Sequence, residues 1–411
     1  MLLTHLPGDY ATYLNLQANI TSTAPSCSYI MIDTDYYLAP VMEAYFVKSS
    51  IGQSRRSAFL DTEAVLDFGN AGHTYAELAL ISAEKIMTTS APFAQEGGQV
   101  QANLIHLKPD IPVGEWRDST YGIGGGRIPY DVNAALVPAA LHAIAALSAA
   151  GFFPTHPEWI TTAVSYAQVW EDSTLQFFEV TVPVSQAKTL VEDYTATVGY
   201  GFPSHTDEIT EDIVYHGLAL EGNNNQSLVQ VMNTDDCFRH FLLNTTDQAQ
   251  LTAFLNQTAR NVLAPYPVGL STPVGLIVAN PAYGEDPIYV ANFTTSYYHG
   301  TVVWSWQLAM MAAGLERQLG RCTASGSPDF CTDAAVHGNV LAAYNHLWDL
   351  IEANEQNLSS EVWSWVYENG EFVTTPLGAL PPPPGSGATE SDIRQLWSLT
   401  FLAVTRDVEL K

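Results

Sequence analysis

The sequence predicts an all-α protein built as a toroid of paired helices, and three observations support this prediction. Ten segments carry apolar residues at helical spacing, strands and helices do not alternate along the chain, and the segment 134–150 is apolar on nearly every side. A helix that is apolar all round must be covered on every face, as the inner helices of a toroid are. Long loops between the helices would build a cleft at one end.

Start signals support several of the predicted helices. Asp131 is suited to cap the helix that follows it, Pro157 suits a first helical turn, and residues 389–392 resemble a capping box. Short extended pieces are expected at 174–182, 227–232, 273–280 and 287–291. The helices are expected at 33–49, 54–68, 74–90, 131–150, 157–172, 183–198, 245–263, 301–320, 333–356 and 389–407.

We expect a single domain over residues 1–411, because a toroid can hold a chain that is too long for one ordinary core. The proline-rich stretch 380–389 is predicted to be an exposed loop, since it is too short for a domain linker. The uncharged run 134–153 is long enough to span a bilayer. It is rich in alanine, however, and a helix buried between two helical layers is the better interpretation.

The charge balance excludes some partners. Only 14% of the residues are charged, yet 43 are acidic and 15 basic, which gives a net charge of −28. Such a surface repels nucleic acids and anionic membranes and favours neutral or cationic partners. The chain also has 9 Trp and 20 Tyr, most of which we expect to fill the core. We expect a monomer that binds neither nucleic acid nor membrane.

The four cysteines predict disulfides rather than a metal site. Cys322 and Cys331 flank a turn-rich loop, which favours a local disulfide, and Cys27 would then pair with Cys237. Six sequons support secretion mildly, and the even cysteine count and the acidity agree with it. The first ten residues lack the basic start and apolar core of a signal peptide, so we expect an extracellular protein seen without its leader. The sequon asparagines are Asn19, Asn225, Asn244, Asn256, Asn292 and Asn357.

The stretch GEWRDSTYGIGGGRIPYDVN, residues 114–133, concentrates charge and glycine in one place. Its glycine run is not a phosphate-binding loop, because it follows no strand and lacks the Lys-Ser/Thr pair of a P-loop. Neither HExxH nor GxSxG occurs in the chain, and the DTD at 33–35 lacks the spaced oxygen ligands of an EF-hand. We predict no cofactor, although so acidic a chain could hold a structural calcium.

Aromatic residues and carboxylates occur together in three stretches, at 114–133, 296–319 and 359–372. Glycoside hydrolysis needs one carboxylic acid to protonate the leaving oxygen and one carboxylate to activate water or attack carbon. Aromatic rings beside the carboxylates can stack on the apolar faces of sugars.

These stretches resemble a known superfamily. YHGTVVWSWQLAMMAAGLERQL resembles the inner-helix motif of the six-hairpin glycosidases, GEWRDS resembles their Trp-x-Asp acid motif, and QLWSLTFLAV resembles their closing helix. Within the superfamily the chain resembles the glucosidase domain of glycogen debranching enzymes and, more distantly, trehalases and processing glucosidases. The resemblance spans most of residues 74–407. It implies an (α/α)6 barrel and, usually, inversion at the anomeric carbon.

By this resemblance Asp118 is the general acid, and Glu115 is its local rival. An alternative is a loop aspartate paired with Arg117 or Arg127, and an adjacent arginine would lower the pKa that a general acid needs raised. The general base lies late in the family sequences. Glu361 fits best because aromatic residues follow it, with Glu371 as the second candidate.

Further residues are candidates for substrate binding. The tryptophans could form sugar platforms or equally belong to the core, His299 could contact a sugar hydroxyl or begin a helix, and Asp131 could line the cleft or cap its helix. The candidates are Glu115, Trp116, Arg127, Tyr130, Asp131, His299, Trp304, Trp306, Gln307 and Trp363.

The predicted function is therefore that of a secreted glycoside hydrolase acting on an α-glucoside or a related oligosaccharide or polysaccharide. Two alternatives stay open. A non-catalytic glycan-binding protein would keep the aromatic cleft but lack a second carboxylate facing Asp118. A polysaccharide lyase on a similar toroid would need a tyrosine or histidine base.

Overall fold

The computed structural model describes residues 30–65, 70–323, 326–382 and 398–410, together with the backbone at 4–5, 26–27 and 396–397. The described chain is mostly helical and its sheets are small, which agrees with the predicted all-α class. The helices are α1 Asp33–Glu43, α2 Ser50–Leu60, α3 Tyr75–Ala94, α4 Val137–Ala149, α5 Trp159–Ser173, α6 Val184–Val198, α7 Asp236–Leu242, α8 Gln248–Leu263, α9 Pro287–Asn292, α10 Ser305–Gly320 and α11 Ala334–Ala353.

All the described strand pairs are antiparallel. The sheets have the orders β1-β2, β3-β6, β4-β5, β7-β10, β8-β9 and β11-β12-β13. The strands are β1 Thr4–His5, β2 Ser26–Cys27, β3 Ile128–Pro129, β4 Glu179–Val182, β5 Ile213–His216, β6 Ala219–Leu220, β7 Met232–Asn233, β8 Ser271–Thr272, β9 Gly275–Leu276, β10 Ala279–Asn280, β11 Val303–Trp304, β12 Val362–Glu368 and β13 Glu371–Thr375.

Two sequence predictions are wrong. The segment 287–291, expected to be extended, is helix α9, because Asp286 accepts a hydrogen bond from the Ile288 N–H (2.9 Å) and Pro287 occupies the first helical position. This cap outweighs the β-branched residues that follow it. Asp131 is not a helix cap, because the helical backbone already begins at Tyr130, directly after β3, and leads through a π-helical turn, Val132–Leu136, into α4.

Other predicted helices shift or shorten. Helix α2 begins at Ser50, where Ser49 accepts the Gly52 N–H (3.4 Å), and it ends at Leu60 rather than at 68. Of the predicted closing helix 389–407, the described part contains a 3₁₀ helix at Leu396–Ala403. The capping box at 389–392 and most of the proline-rich stretch 380–389 lie outside the described residues.

The chain divides into two compact units. Unit 1 comprises residues 1–118 and 136–173, and unit 2 comprises residues 119–135 and 174–411. The predicted single toroid therefore stays a prediction.

In unit 1, helix α4 is the central element and contacts α1, α3 and α5. Its side chains at Ala140, Leu141 and Ile144 are fully buried, as its apolar sequence requires. The apolar stretch Val132–Ala149 has the length and hydropathy of a membrane span, but 83% of it is buried in the structure. This burial favours the core-helix interpretation.

In unit 2, α7 packs against α10, α8 against α11, and α10 against α11. Strand β11 pairs with β12, so Val303 lies opposite Trp363 and Trp304 opposite Val362. This pairing joins two of the aromatic stretches that the sequence analysis treated separately.

The hairpin of β12 and β13 is an element that the sequence analysis missed. Its turn is Asn369-Gly370, and both residues have positive φ values, 55° and 87°. Asn-Gly between alternating apolar residues is the strongest short-range signal for such a hairpin.

The predicted disulfide between Cys322 and Cys331 is present. Cys237 is buried, and its thiol donates a hydrogen bond to Gln307 Oε1 (3.0 Å). The predicted pairing of Cys27 with Cys237 stays a prediction, since the Cys27 side chain lies outside the described part of the chain.

Trp170 provides a test of the core of unit 1. It is fully buried on α5, its ring centroid lies 4.4 Å from that of Phe93, and its Nε1–H donates to the Ser90 carbonyl (3.1 Å). We expect W170A to lower the free energy of unfolding by ~3–5 kcal/mol, because the substitution leaves a cavity and removes the indole hydrogen bond to Ser90. Urea unfolding followed by far-ultraviolet circular dichroism measures this change.

Val164 on the same helix is 45% exposed and supplies the matched control. V164A should change the free energy of unfolding by less than ~0.5 kcal/mol. Equal effects of the two substitutions would contradict the assignment of α5 to the core.

Candidate functional site

The segment from Gly114 to Asp118 lies against the start of helix α1 in unit 1. The backbone N–H groups of Ile32 and Asp33 both donate to the Gly114 carbonyl, at 2.6 and 3.2 Å. Residues 114–117 are buried, whereas Asp118 is exposed. The carboxylate of Asp118 is therefore accessible to solvent, and the four residues before it are packed in the interior.

The residues beneath Asp118 pack against one another. The Arg117 guanidinium carbon lies 4.2 Å from the centroid of the Trp116 ring. Glu115 Oε2 accepts a hydrogen bond from the backbone N–H of Arg117 (3.0 Å). Trp116 is 3% exposed and Glu115 is 1% exposed. This packing favours the core interpretation of Trp116 over a sugar platform, and it makes Glu115 a weaker candidate than Asp118 for contact with a substrate.

A second carboxyl group, Asp33, interacts with Asp118. Asp33 stands in the first turn of α1, is 3% exposed, and its Oδ1 atom accepts no hydrogen bond from any described residue. Burial is the main reason why the pKa of Asp33 rises to about 7, and the negative charges of Asp118 and Asp35 raise it further. In the sequence, Asp33 belongs to the DTD at 33–35, which lacks the ligand spacing of an EF-hand, and no motif relates it to Asp118.

Asp35, two residues along α1, has a different partner. Lys85 Nζ donates to Asp35 Oδ2 at 2.5 Å. Burial opposes both charges, so it raises the pKa of Asp35 to about 6 and lowers that of Lys85 to about 8. Asp35 thus forms an ion pair with Lys85, whereas Asp33 forms none with any described residue.

The two environments give the Asp33–Asp118 pair an asymmetric chemistry. Two interacting carboxyls do not lose both protons easily, and the apparent pKa values belong to the pair. The buried carboxyl retains a proton near neutral pH, and the exposed one is accessible to a ligand.

The glycine run after Asp118 belongs to unit 2 and permits close packing of the backbone. Gly124 and Gly125 have φ values of 63° and 71°. A Cβ atom on Gly125 would lie 2.1 Å from the Asn223 side chain, and one on Gly124 would lie 2.5 Å from Val229. The run is therefore needed for packing against the 223–229 segment.

His299 contacts two other residues of unit 2. Its Nδ1 atom lies 2.8 Å from Ser119 Oγ, and its ring stacks on Trp304 with a centroid distance of 5.0 Å and an angle of 8°. His299 is 1% exposed. The structure therefore favours a hydrogen-bonded core histidine over a histidine that faces a sugar.

Tyr130 belongs to a buried polar network centred on Asp236. Its hydroxyl donates to Asp236 Oδ1 (2.7 Å), and His216 Nδ1 lies 3.3 Å from the same oxygen. Gln257 Nε2 and Thr258 Oγ1 donate to Asp236 Oδ2 at 3.0 and 2.9 Å. Both carboxylate oxygens thus accept hydrogen bonds in a buried site.

The network also shifts proton affinities. Burial alone would raise the pKa of Asp236, but the hydrogen bonds and charge of His216, with the Tyr130 hydrogen bond, outweigh it and lower the pKa to about 2. Burial lowers the pKa of His240 to about 4, although Asp236 attracts its proton. No sequence motif points to Asp236, His216 or His240, because only the fold brings these three residues together.

The remaining binding candidates lie mostly in the interior of unit 2. Gln307 accepts the Cys237 thiol hydrogen and donates to Asp235 Oδ1 (3.4 Å). Arg127 is half-buried, and its backbone N–H donates to the Leu220 carbonyl (2.8 Å). The candidates with less than a tenth of their surface exposed are Tyr130, Asp131, Trp304, Trp306, Gln307 and Trp363.

The two candidate bases stand in opposite environments. Glu361 is 1% exposed and directly precedes β12, and its backbone carbonyl accepts the Ser305 N–H (3.2 Å) at the start of α10. Glu371 is exposed at the hairpin turn, opposite Glu368. Glu361 therefore shares the β11–β12 region with Trp304 and Trp363, whereas Glu371 does not.

A surface cleft of about 250 Å³ in unit 2 contains none of the predicted site residues. It lies beside α8, where Arg260 forms an ion pair with Glu211 (2.7 Å). Among the described residues, no group of three or more His, Cys, Asp or Glu side chains could hold a metal ion.

Comparison with known proteins finds no matching family model and no matching curated protein.

The buried Asp33 carboxyl predicts a specific pH dependence of stability. In the unfolded chain Asp33 has a pKa of about 4, so between about pH 4 and pH 7 the folded protein binds the additional proton. This contribution is fully present below about pH 4 and is lost as the pH rises through 7. D33N, which cannot ionise, should therefore be more stable than wild type above pH 7, by on the order of 4 kcal/mol, and the advantage should shrink towards pH 4.

Denaturant unfolding over a pH series measures the difference. The exposed loop residue Asp110, whose φ of 61° suits asparagine, supplies the control D110N, for which we expect no such trend. A difference between D33N and wild type that is constant over pH would contradict a raised pKa at Asp33.

Proposed function

We propose that this protein is a secreted glycoside hydrolase that acts with inversion on an α-glucoside or a related oligosaccharide. The observation that supports the proposal best is the carboxyl pair of Asp33 and Asp118, in which one group is buried with a raised pKa and the other is exposed. Acid-assisted cleavage of a glycosidic bond needs a carboxyl group that still holds a proton at the working pH.

Asp118 is the member of the pair that can touch a substrate, because it is exposed. Asp33 is too deeply buried for that role and acts as a positioning residue. The buried Asp33 carboxyl interacts electrostatically with Asp118. In this scheme Asp118 protonates the glycosidic oxygen.

Glu361 is the proposed general base. In the proposed mechanism it activates the attacking water, as the base of an inverting enzyme does. Its place before β12, beside Trp304 and Trp363, supports it over Glu371, which is exposed at a hairpin turn.

The proposal includes an (α/α)6 barrel and an extracellular location. Helix α4 is apolar and buried as an inner helix of such a barrel would be. The disulfide, the sequons and the acidic composition support secretion.

The proposed chemistry is tested with a panel of α-linked gluco-oligosaccharides and related glycans. We expect wild-type protein to release a product whose anomeric configuration is inverted, as observed by proton NMR at early times. D118N should lower kcat by ~10²–10⁴-fold, because it removes the proton donor, and E361Q should have an effect of similar size. D110N in the same unit should leave kcat unchanged.

Full activity of D118N on a confirmed substrate would exclude Asp118 as the general acid. Binding of glycans without turnover over the whole panel would instead favour a glycan-binding protein. Unsaturated products, which absorb ultraviolet light, would indicate a lyase.

A further inference from the structure

The loop Glu221–Ser227 carries four consecutive carboxamides, Asn223 to Gln226, and three of them fix the loop. Asn223 Nδ2 donates to the Gly124 carbonyl (3.1 Å). Asn224 Nδ2 and Gln226 Nε2 both donate to Asp286 Oδ2, at 3.3 and 3.2 Å. Asp286 in turn caps helix α9, so the loop is anchored at two points of unit 2.

The fourth carboxamide, Asn225, differs from its neighbours. It is exposed, its backbone is left-handed with φ 60°, and its side chain makes no hydrogen bond to another described residue. Ser227, which completes the sequon Asn-Gln-Ser, is also exposed. The loop is therefore held by the residues around Asn225 and does not depend on the Asn225 side chain.

We propose that Asn225 carries an N-linked oligosaccharide and that the fold excludes one at Asn357. The glycan is joined to Nδ2, so a glycosylated asparagine must direct that nitrogen to solvent. Asn225 satisfies this condition without loss of any internal contact. At Asn357 the Nδ2 atom is buried and has no hydrogen-bond partner among the described residues, so an attached sugar would have no space.

At the other described sequons the asparagine side chain takes part in hydrogen bonds that a glycan could disturb. Asn244 is exposed, but its Oδ1 accepts Arg317 Nη2 (3.0 Å). Asn256 is half-buried on α8, and its Oδ1 accepts Asn339 Nδ2 (2.9 Å). Asn292 uses both side-chain atoms, since Nδ2 donates to the Ile288 carbonyl (2.8 Å) and Oδ1 accepts the Tyr297 hydroxyl (3.2 Å). Asn19 lies outside the described residues.

This inference rests on the extracellular location in the proposed function and not on the hydrolytic chemistry. The two are separated by producing the whole chain in a eukaryotic secretory host behind a heterologous leader. Glycan attachment is then measured on the protein whether or not it hydrolyses any sugar.

Mass spectrometry of peptides before and after enzymatic removal of N-glycans locates the attachment sites. We expect the peptide containing Asn225 to be modified and the peptide containing Asn357 to be unmodified in the folded protein. N225Q and S227A should each remove one glycan and leave folding unchanged, because neither side chain supports the loop. S359A, which destroys the Asn357 sequon but keeps Asn357 itself, should leave the glycan pattern unchanged.

An unmodified Asn225 peptide would overturn the proposal, as would a glycan on Asn357 in folded protein. If the host cells retain the chain, modification of the Asn225 and Asn357 peptides is measured on protein from the microsomal fraction, and the same two outcomes apply. Loss of folding in S227A would show that the sequon serves the loop itself and would also overturn the proposal.

Discussion

A buried carboxyl group must either accept enough hydrogen bonds to remain ionised or keep its proton. Each unit of this protein contains a buried aspartate that meets this requirement in one of the two ways. The chain has few charged residues and most of them are acidic, so several carboxyls lie in the interior with few cations to neutralise them. Asp236 in unit 2 is surrounded by donors, and its pKa falls to about 2. Asp33 in unit 1 has no donor at Oδ1, and its pKa rises to about 7. Aspartate is thus an ionised structural residue in unit 2 and a carboxyl group that stays protonated near neutral pH in unit 1.

This contrast separates structural from functional candidates. Both oxygens of the Asp236 carboxylate accept hydrogen bonds in the interior, and two of these bonds link α7 to α8. The Asp33–Asp118 pair combines a buried carboxyl whose pKa is raised with an exposed carboxyl, and shifted pKa values of this kind are common at functional sites. Most of the aromatic residues that the sequence suggested as sugar platforms are packed in the interior. The proposed chemistry therefore depends on the carboxyl groups more than on the tryptophans.

Sequence periodicity located most of the helices, because a buried apolar face leaves a regular pattern along the chain. It failed where a short local signal decided the structure, as with Asp286-Pro287 at the start of α9 and Asn369-Gly370 in the hairpin. The acid candidate Asp118 could be selected from a motif. Its neighbour Asp33 could not, since it lies 85 positions earlier in the chain and the two are related only by the contact of Gly114 with the start of α1.

The sequence by itself determined the helical class, the local disulfide of Cys322 and Cys331, and the concentration of charge and glycine at 114–133. These features depend on spacing within one segment, which a single chain displays directly. Only the tertiary structure decided which carboxyls are ionised, which tryptophans are buried and which sequon asparagine is accessible. Each of these depends on the solvent and the partners around one side chain, and residues far away in sequence supply both.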